Sequence, residues 1–273
     1  MEHIYNLTQG ADPEVFLVDK VGHQVSSEGL FGGTKDNPKP MVGFPDGFYV
    51  QEDNVAAEYN IPPCNTAKVF SSSIAKGLKY INAIAKSQGC TISVVSTMRF
   101  TKEQLATPHA QRLGCEPDLN AWTRLENPRP IPPPELRTAA GHIHYGWDSP
   151  NDEQRFGMAK MFDLFLGIPS ILCTEVNERR SLYGKAGSIR LKYYGVECRI
   201  LDNFWLDKRS YREHIFDTGI TIKNILNETR GEFIEYISSI QDEIQTCINV
   251  HDKDLALDIM DRFEIPSFPI LRK

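Results

Sequence analysis

Four short segments of this 273-residue chain set ionisable or hydrogen-bonding side chains two residues apart. On an extended strand that spacing puts them on one face, with the intervening residues on the other. Asp12 and Glu14 share a face in GADPEVFLVD, opposite Val15 and Leu17. Asn54, Glu58 and Asn60 do so in EDNVAAEYNIPP, and His142 and His144 in AAGHIHYGW. In RRSLYGKAGSIRLKYYGVECRILDNFW, Ser188, Arg190 and Lys192 point away from Ile189 and Leu191, and Glu197 and Arg199 form a further pair. Hard carboxylate oxygens with imidazole suit Mg²⁺ or Mn²⁺. A guanidinium fork suits phosphoryl oxygens. Each segment alone has a plainer reading, either exposed ion pairs that contribute little or, for the histidines, hydrogen-bonded strand residues. A zinc site would want a third His or Cys beside the HxH pair, and no obvious one accompanies it. Recurrence of the pattern in four segments predicts one metal-lined groove.

The elements that must position these residues follow from periodicity. Residues 4–18 read as the strand carrying Asp12 and Glu14, and Pro13 favours a sheet edge or a strand start. Gly32-Gly33 and Asp36-Asn37-Pro38 mark 19–47 as hairpin and loop. Phe48 to Ile61 reads as a strand stopped by Pro62-Pro63. Asn65 or Thr66 caps a helix on which Phe70, Ile74, Leu78, Ile81 and Ala85 recur every three or four residues before Gly89. Thr91 to Thr97 alternates as a strand, and Thr101 to Gln104 resembles a capping box for a short helix.

The Pro-rich loop at 115–138 is long enough to predict either a substrate lid or a rigid spacer, with Trp122, Arg124 and Arg137 as its candidates for touching a ligand. Ser149-Pro150 opens a helix with Phe156, Ala159, Phe162 and Leu166 on its buried stripe, interrupted by Gly167-Ile168-Pro169. From 209 to 273 the chain reads as helical. Phe233, Ile237, Ile240, Ile244 and Ile248 form one stripe, and Leu255, Ile259 and Phe263 a shorter one.

An apolar share of 41% is ample for a core. The net charge of −6 argues against a general nucleic-acid or membrane-surface binder. Six scattered cysteines without a CxxC pair favour reduced thiols and a cytoplasmic setting. No signal peptide and no long apolar span is expected.

The order and wording of the segments are more specific than their spacing. GADPEVFLVD resembles the ExE-bearing strand of glutamine synthetases, with Asp12 where that family has its first Glu. EDNVAAEYN resembles the following metal-carboxylate strand, matched at Glu58, and GHIHYG resembles the family's HxH strand. GSIRLKYYGVECRILDNFW resembles its closing segment, matched at Arg190, Glu197 and Arg199. The likeness runs over residues 10–205, thins after about residue 208, and in wording and length is nearest to the type-2 carboxylate-amine ligases of bacteriophage genomes.

The resemblance implies an α+β, glutamine synthetase-like fold, a curved, mainly antiparallel sheet backed by helices, in one domain over 1–273. It implies ATP with Mg²⁺ or Mn²⁺, and an amide formed through an acyl phosphate. Asp12, Glu14, Glu58, His142 and Glu197 would be metal ligands, and Arg190 and Arg199, with Glu197, the catalytic set. Arg190, Arg199, Lys185, Arg180 and His144 would bind the nucleotide or substrate. The partners would be amino acids or amines, with a peptide or a modified nucleobase as a further acceptor. A separate N-terminal sheet domain is lacking, which points to a monomer or small homo-oligomer rather than a ring. The alternatives are a phosphotransferase on the same scaffold, a non-catalytic nucleotide- or metal-binding protein, and a nuclease or zinc hydrolase.

Overall fold

The computed structural model describes residues 1–111 and 118–269; Cys115 and the first residues of the Pro-rich loop lie outside them. The strands are β1 (Thr8–Val18), β2 (Gln24–Val25), β3 (Lys39–Pro40), β4 (Tyr49–Asp53), β5 (Ala56–Asn60), β6 (Thr91–Ser93), β7 (Thr97–Arg99), β8 (Leu119–Asn120), β9 (Leu136–Thr138), β10 (Gly141–Gly146), β11 (Ser188–Lys192) and β12 (Gly195–Cys198). The helices are α1 (Ala67–Ser87), α2 (Asp152–Phe162), α3 (Ile168–Ile171), α4 (Glu178–Leu182), α5 (Arg209–Thr229), α6 (Glu232–Ser238), α7 (Gln241–Val250) and α8 (Lys253–Arg262).

Among the described residues, ten strands form one sheet in the order β3-β4-β5-β1-β10-β12-β11-β8, with β2 and β6 added to the far end of β1. The recorded pairings are antiparallel. The fold is α+β, a large antiparallel sheet backed by helices.

One face of the sheet is apolar. Ala11, Val15, Ile143, Tyr145, Ile189, Val196 and Cys198 are buried there in the main core. Helices close on it tightly enough that glycine is required at two contacts. A Cβ at Gly77 of α1 would lie 2.2 Å from the Tyr59 ring, and one at Gly219 of α5 would lie 2.5 Å from Gln9 and 2.6 Å from Tyr145. The Tyr145 ring in turn meets Phe162 of α2 edge-on at 6.0 Å. On the other face, the even-numbered residues of β1 run from Gly10 through Asp12 and Glu14 to Phe16. Phe16 joins Val55, Phe100, Leu105 and Ala139 in a smaller apolar cluster that closes one end.

Several local expectations change. Pro13 sits in a central strand, not at an edge. Registers of Glu14 with Glu58 and of Pro13 with Gly141 place it where pairing with β10 ends and the ladder to β5 has a gap, so its missing N–H costs little. The span 48–61 is a hairpin rather than one strand, turning at Asn54 in the left-handed region (φ 50°), so Asn54 does not share a strand face with Glu58. Residues 91–99 make two short strands, and the reciprocal bonds between Thr101 and Gln104 close a turn. Asn151, not Ser149, caps α2, in a capping box with Gln154. Pro169 does not break the chain: a π-helical turn at Asp163–Gly167 carries α2 into α3, with Pro169 in the first turn of α3. Thr66 caps α1 as the sequence predicts.

Candidate active site

Sheet register brings the four segments together. Asp12 lies opposite His142 and Gly10 opposite His144. His144 lies opposite Glu197, and Glu197 opposite Arg190. On the other side of β1, Glu14 faces Glu58. Residues nearly two hundred positions apart in the chain thus become neighbours on one face, which is what the period-two pattern predicts.

Two groups of ligand atoms result, each with its atoms within 4.8 Å of one another: Asp12, His144 and Glu197, and beside it Glu14, Asp53 and Glu58. In the first, His144 Nε2 lies 3.1 Å from Asp12 Oδ1, and His142 Nδ1 lies 3.3 Å from the same oxygen and 3.7 Å from Glu197 Oε1. Arg199 grips Glu197 directly, Arg190 approaches it at 3.5 Å, and Lys192 meets its other oxygen at 2.8 Å. Burial opposes the charge on Glu197, but Arg199 leads the cations that hold its carboxyl below the ordinary range. Burial likewise opposes the charge on Asp12, and His144 and His142 outweigh it, holding Asp12 well below its usual value. Burial and the charge of Arg199 push His142 down to about 4, so its imidazole is neutral at pH 7.

The second group behaves in the opposite sense. Burial, with Asp53 and Asp12 nearby, pushes Glu14 up to about 8. Glu58 rises well above its usual value by burial and by repulsion from Asp12, Asp53 and Glu14, and burial raises Asp53. Packed carboxylates that resist ionising together are a cluster short of positive charge. Hard oxygens at this spacing, with an imidazole in the adjoining group, fit Mg²⁺ or Mn²⁺.

Sequence reasoning misses Asp53, and it places Lys192 on the charged face without a role. Asp53 closes the β4–β5 hairpin, and its proximity to Glu14 follows from that turn, not from any spacing along one strand. Lys192 shares the face of Ser188 and Arg190, as the alternation predicts, and its partner Glu197 follows from the β11–β12 register.

Arg180, 3% exposed, is engaged with the backbone carbonyls of Gly184 and Ile200 and, at 3.9 Å, with Asp202 rather than with either ligand group. Its neighbour Arg179 binds Asp202 at 2.8 Å and the carbonyl of Arg199 at 2.7 Å. These arginines fasten α4 to the segment that leaves β12. Lys185 is half-buried in the turn before β11.

Of the three loop residues expected to touch a ligand, Trp122 and Arg137 are buried, whereas Arg124 is exposed and lines a second pocket with Phe156 and Lys160. Arg137 is buried and spends its guanidinium on the carbonyls of Ala110, Pro134 and Leu136. Trp122 donates to Asp163 at 2.6 Å, and Arg124 lies over the Phe156 ring at 4.8 Å. Within the described part of the loop, β8 is an edge strand on β11 and β9 pairs with β7, so sheet pairing ties it down.

A pocket of about 310 Å³ adjoins His144, lined by Thr8, Gly10, Asn60, Pro63, Gly146 and the tyrosines of the β11–β12 hairpin, among others. Tyr193 is 91% exposed and meets Tyr194 edge-on at 5.1 Å. Among the described residues no helix is long and apolar enough to cross a membrane.

No protein-family model and no curated protein matches the chain. Among solved structures, GmaS without ligand is similar at 14% identity and a TM-score of 0.43, over 79% of this chain and 54% of that one. A complex of GmaS with ADP is similar at 11% identity and a TM-score of 0.42, over 94% of this chain and 70% of that one. The chain thus spans about half the length of the ligand-free structure it resembles.

Proposed function

We propose that the chain is an ATP-dependent carbon-nitrogen ligase of the glutamine synthetase-like kind, joining a carboxylate to an amine through an acyl phosphate. The observation that carries this reading is the convergence on one sheet face of Asp12, Glu14, Glu58, His142, His144, Arg190, Glu197 and Arg199 from four segments whose order matches that superfamily.

Bringing a triphosphate against a substrate carboxylate crowds negative charge, which divalent cations such as Mg²⁺ or Mn²⁺, if held by the two carboxylate groups, would offset. Asp12, Glu14, Asp53, Glu58 and Glu197 would hold the cations, with a histidine beside them. Arg190 and Arg199 clamp the transferring phosphoryl group, whose charge grows on its outer oxygens. The substrate carboxylate attacks phosphorus and ADP leaves; the amine then attacks the acyl carbon and phosphate leaves. A carboxylate is a poor acyl donor, whereas its phosphoric anhydride has a stable leaving group. The pocket at Tyr193 and Tyr194, lined by no charged side chain but His144 if protonated, suits the nucleotide base.

The acid and the amine are small molecules such as amino acids, with a peptide or modified nucleobase as a further acceptor. The chain works in the cytoplasm as a monomer or small homo-oligomer, and its motifs resemble the type-2 ligases of bacteriophages. Purified protein incubated with ATP, Mg²⁺ and pools of amino acids and amines should give ADP, phosphate and an amide in equal amounts. ADP with a phosphorylated acceptor and no amide would instead make it a phosphotransferase.

A further inference from the structure

A cavity of about 570 Å³ is bounded by α2, α6, Met1 and the turn after β8, and none of its lining residues belongs to either ligand group. It gathers Arg124, Lys160 and Arg230 with the Met1 amine, against the carboxylates of Glu153 and Glu235. The Met1 amine already meets Glu153 at 3.8 Å. Among the described residues, the side chains of Arg124, Lys160 and Arg230 form no ion pair. Two of them are set in place by neutral partners instead. Lys160 lies over the Trp122 ring at 5.2 Å and donates to Ser238 Oγ at 3.3 Å, and Arg124 lies over the Phe156 ring at 4.8 Å. An aromatic face holds a cation without neutralising it. Arg124 and Arg230 both have left-handed backbones (φ 59° and 49°), where the turn by itself would favour glycine or asparagine. Burial, with the charge of Arg124 added to it, lowers the pKa of Lys160. Like charges held together and partly out of water make a site short of negative charge, in a chain whose net charge is −6.

We propose that this cavity is a second binding site, for a small anion with two or more phosphoryl groups held by Arg124, Lys160 and Arg230. Three cations in one cavity match more charge than a single carboxylate carries, and guanidinium forks match phosphoryl oxygens. The volume is that of a small-molecule pocket and exceeds what one phosphate needs. Glu153 and Glu235 are exposed, so either side chain can turn to solvent when an anion enters. The ligand is a free oligophosphate or the phosphate end of a nucleotide. The site is independent of the ligase reading, because the charged face of the sheet contributes no group to it.

Isothermal titration of the metal-free chain with inorganic pyrophosphate tests this without turnover. Pyrophosphate should bind the wild type. Arg124→Gln, Lys160→Gln and Arg230→Gln should each weaken that binding by about tenfold or more, while Arg190→Gln on the charged face leaves it in place. Arg124 and Arg230 are exposed, so their variants decide the matter if Lys160→Gln, at a half-buried position, does not fold. No binding by the wild type, binding indifferent to all three substitutions, or binding lost only in Arg190→Gln overturns the site. Succinate bound as tightly as pyrophosphate overturns the phosphoryl assignment. ADP bound more tightly than pyrophosphate, with the same loss in Lys160→Gln, supports the site and makes its ligand a nucleotide; ADP bound no better supports a free oligophosphate. None of these results bears on whether the charged face forms amides.

Discussion

Glu14 and Glu58 face each other across adjacent strands with Asp53 beside them, so three carboxylates share one small volume. Glu14 also accepts a bond from the Ala140 amide at 2.8 Å, which a glutamine oxygen could keep. Its carboxyl titrates near 8 when folded, against 4.5 for the free group, so the folded chain holds that proton more tightly than the unfolded one. Stability from this group is therefore lost as pH rises from about 4.5 through about 8. Glu14→Gln should melt higher than the wild type at pH 8.5 without metal, with the gap closing by pH 4, while ATP turnover with an acceptor is abolished. Glu197→Ala should also abolish turnover, and should lower the melting temperature because it takes from the buried Arg199 the carboxylate it grips; normal turnover in either variant removes that residue from the metal site. Asp12, Glu14, Glu58, Glu197 and Arg199 were legible because alternation along a strand is a local property. Asp53 was not, because a turn at Asn54 carries it there, and the orientation of Arg137 was not, because its partners are backbone carbonyls that no side-chain pattern announces.

The π-helical turn between α2 and α3 holds Asp163, 1% exposed, which accepts bonds at 2.6 Å from both the Trp122 indole and the Gly187 amide. One carboxylate thereby pins the turn after β8 to the residue that precedes β11, the strand that carries Arg190. Burial pushes its pKa from 3.8 up to about 7. By the same sign as Glu14, stability falls as pH rises through that window, by on the order of 4 kcal/mol. Asp163→Asn should flatten the dependence of melting temperature on pH between 5 and 8; an unchanged slope would show that Asp163 ionises freely. At the α1 contact, Gly77→Ala drives a methyl into the Tyr59 ring next to Glu58. Denaturant titration should show a loss of about 1–3 kcal/mol. The run of apolar residues along α1 was readable, since its stripe and cap are local. The π turn and the Gly77 contact were not, because each answers to what packs against it.

Across the whole molecule, the sheet order follows from which strands must share the charged face, and the chain supplies them in the sequence its motifs suggested. The central place of Pro13 was hidden because a proline signals a missing donor without saying which neighbour can spare it. A chain that holds buried, mutually repelling carboxylates gains most from cations. Saturating Mg²⁺ or Mn²⁺ should raise the melting temperature, by the equivalent of about 2.7 kcal/mol at a hundredfold excess over Kd. A flat melting temperature across a metal titration would count against both carboxylate groups as cation sites.

β1 also acts as a ruler. Asp12 belongs to one ligand group and Glu14 to the other, and both hang from a single extended backbone held on either side. Their Cα atoms are therefore set about 7 Å apart by the pitch of a strand. No hinge lies between them, so the two centres travel as one rigid unit. Movement during a reaction cycle is left to the surrounding loops and to whatever the site binds.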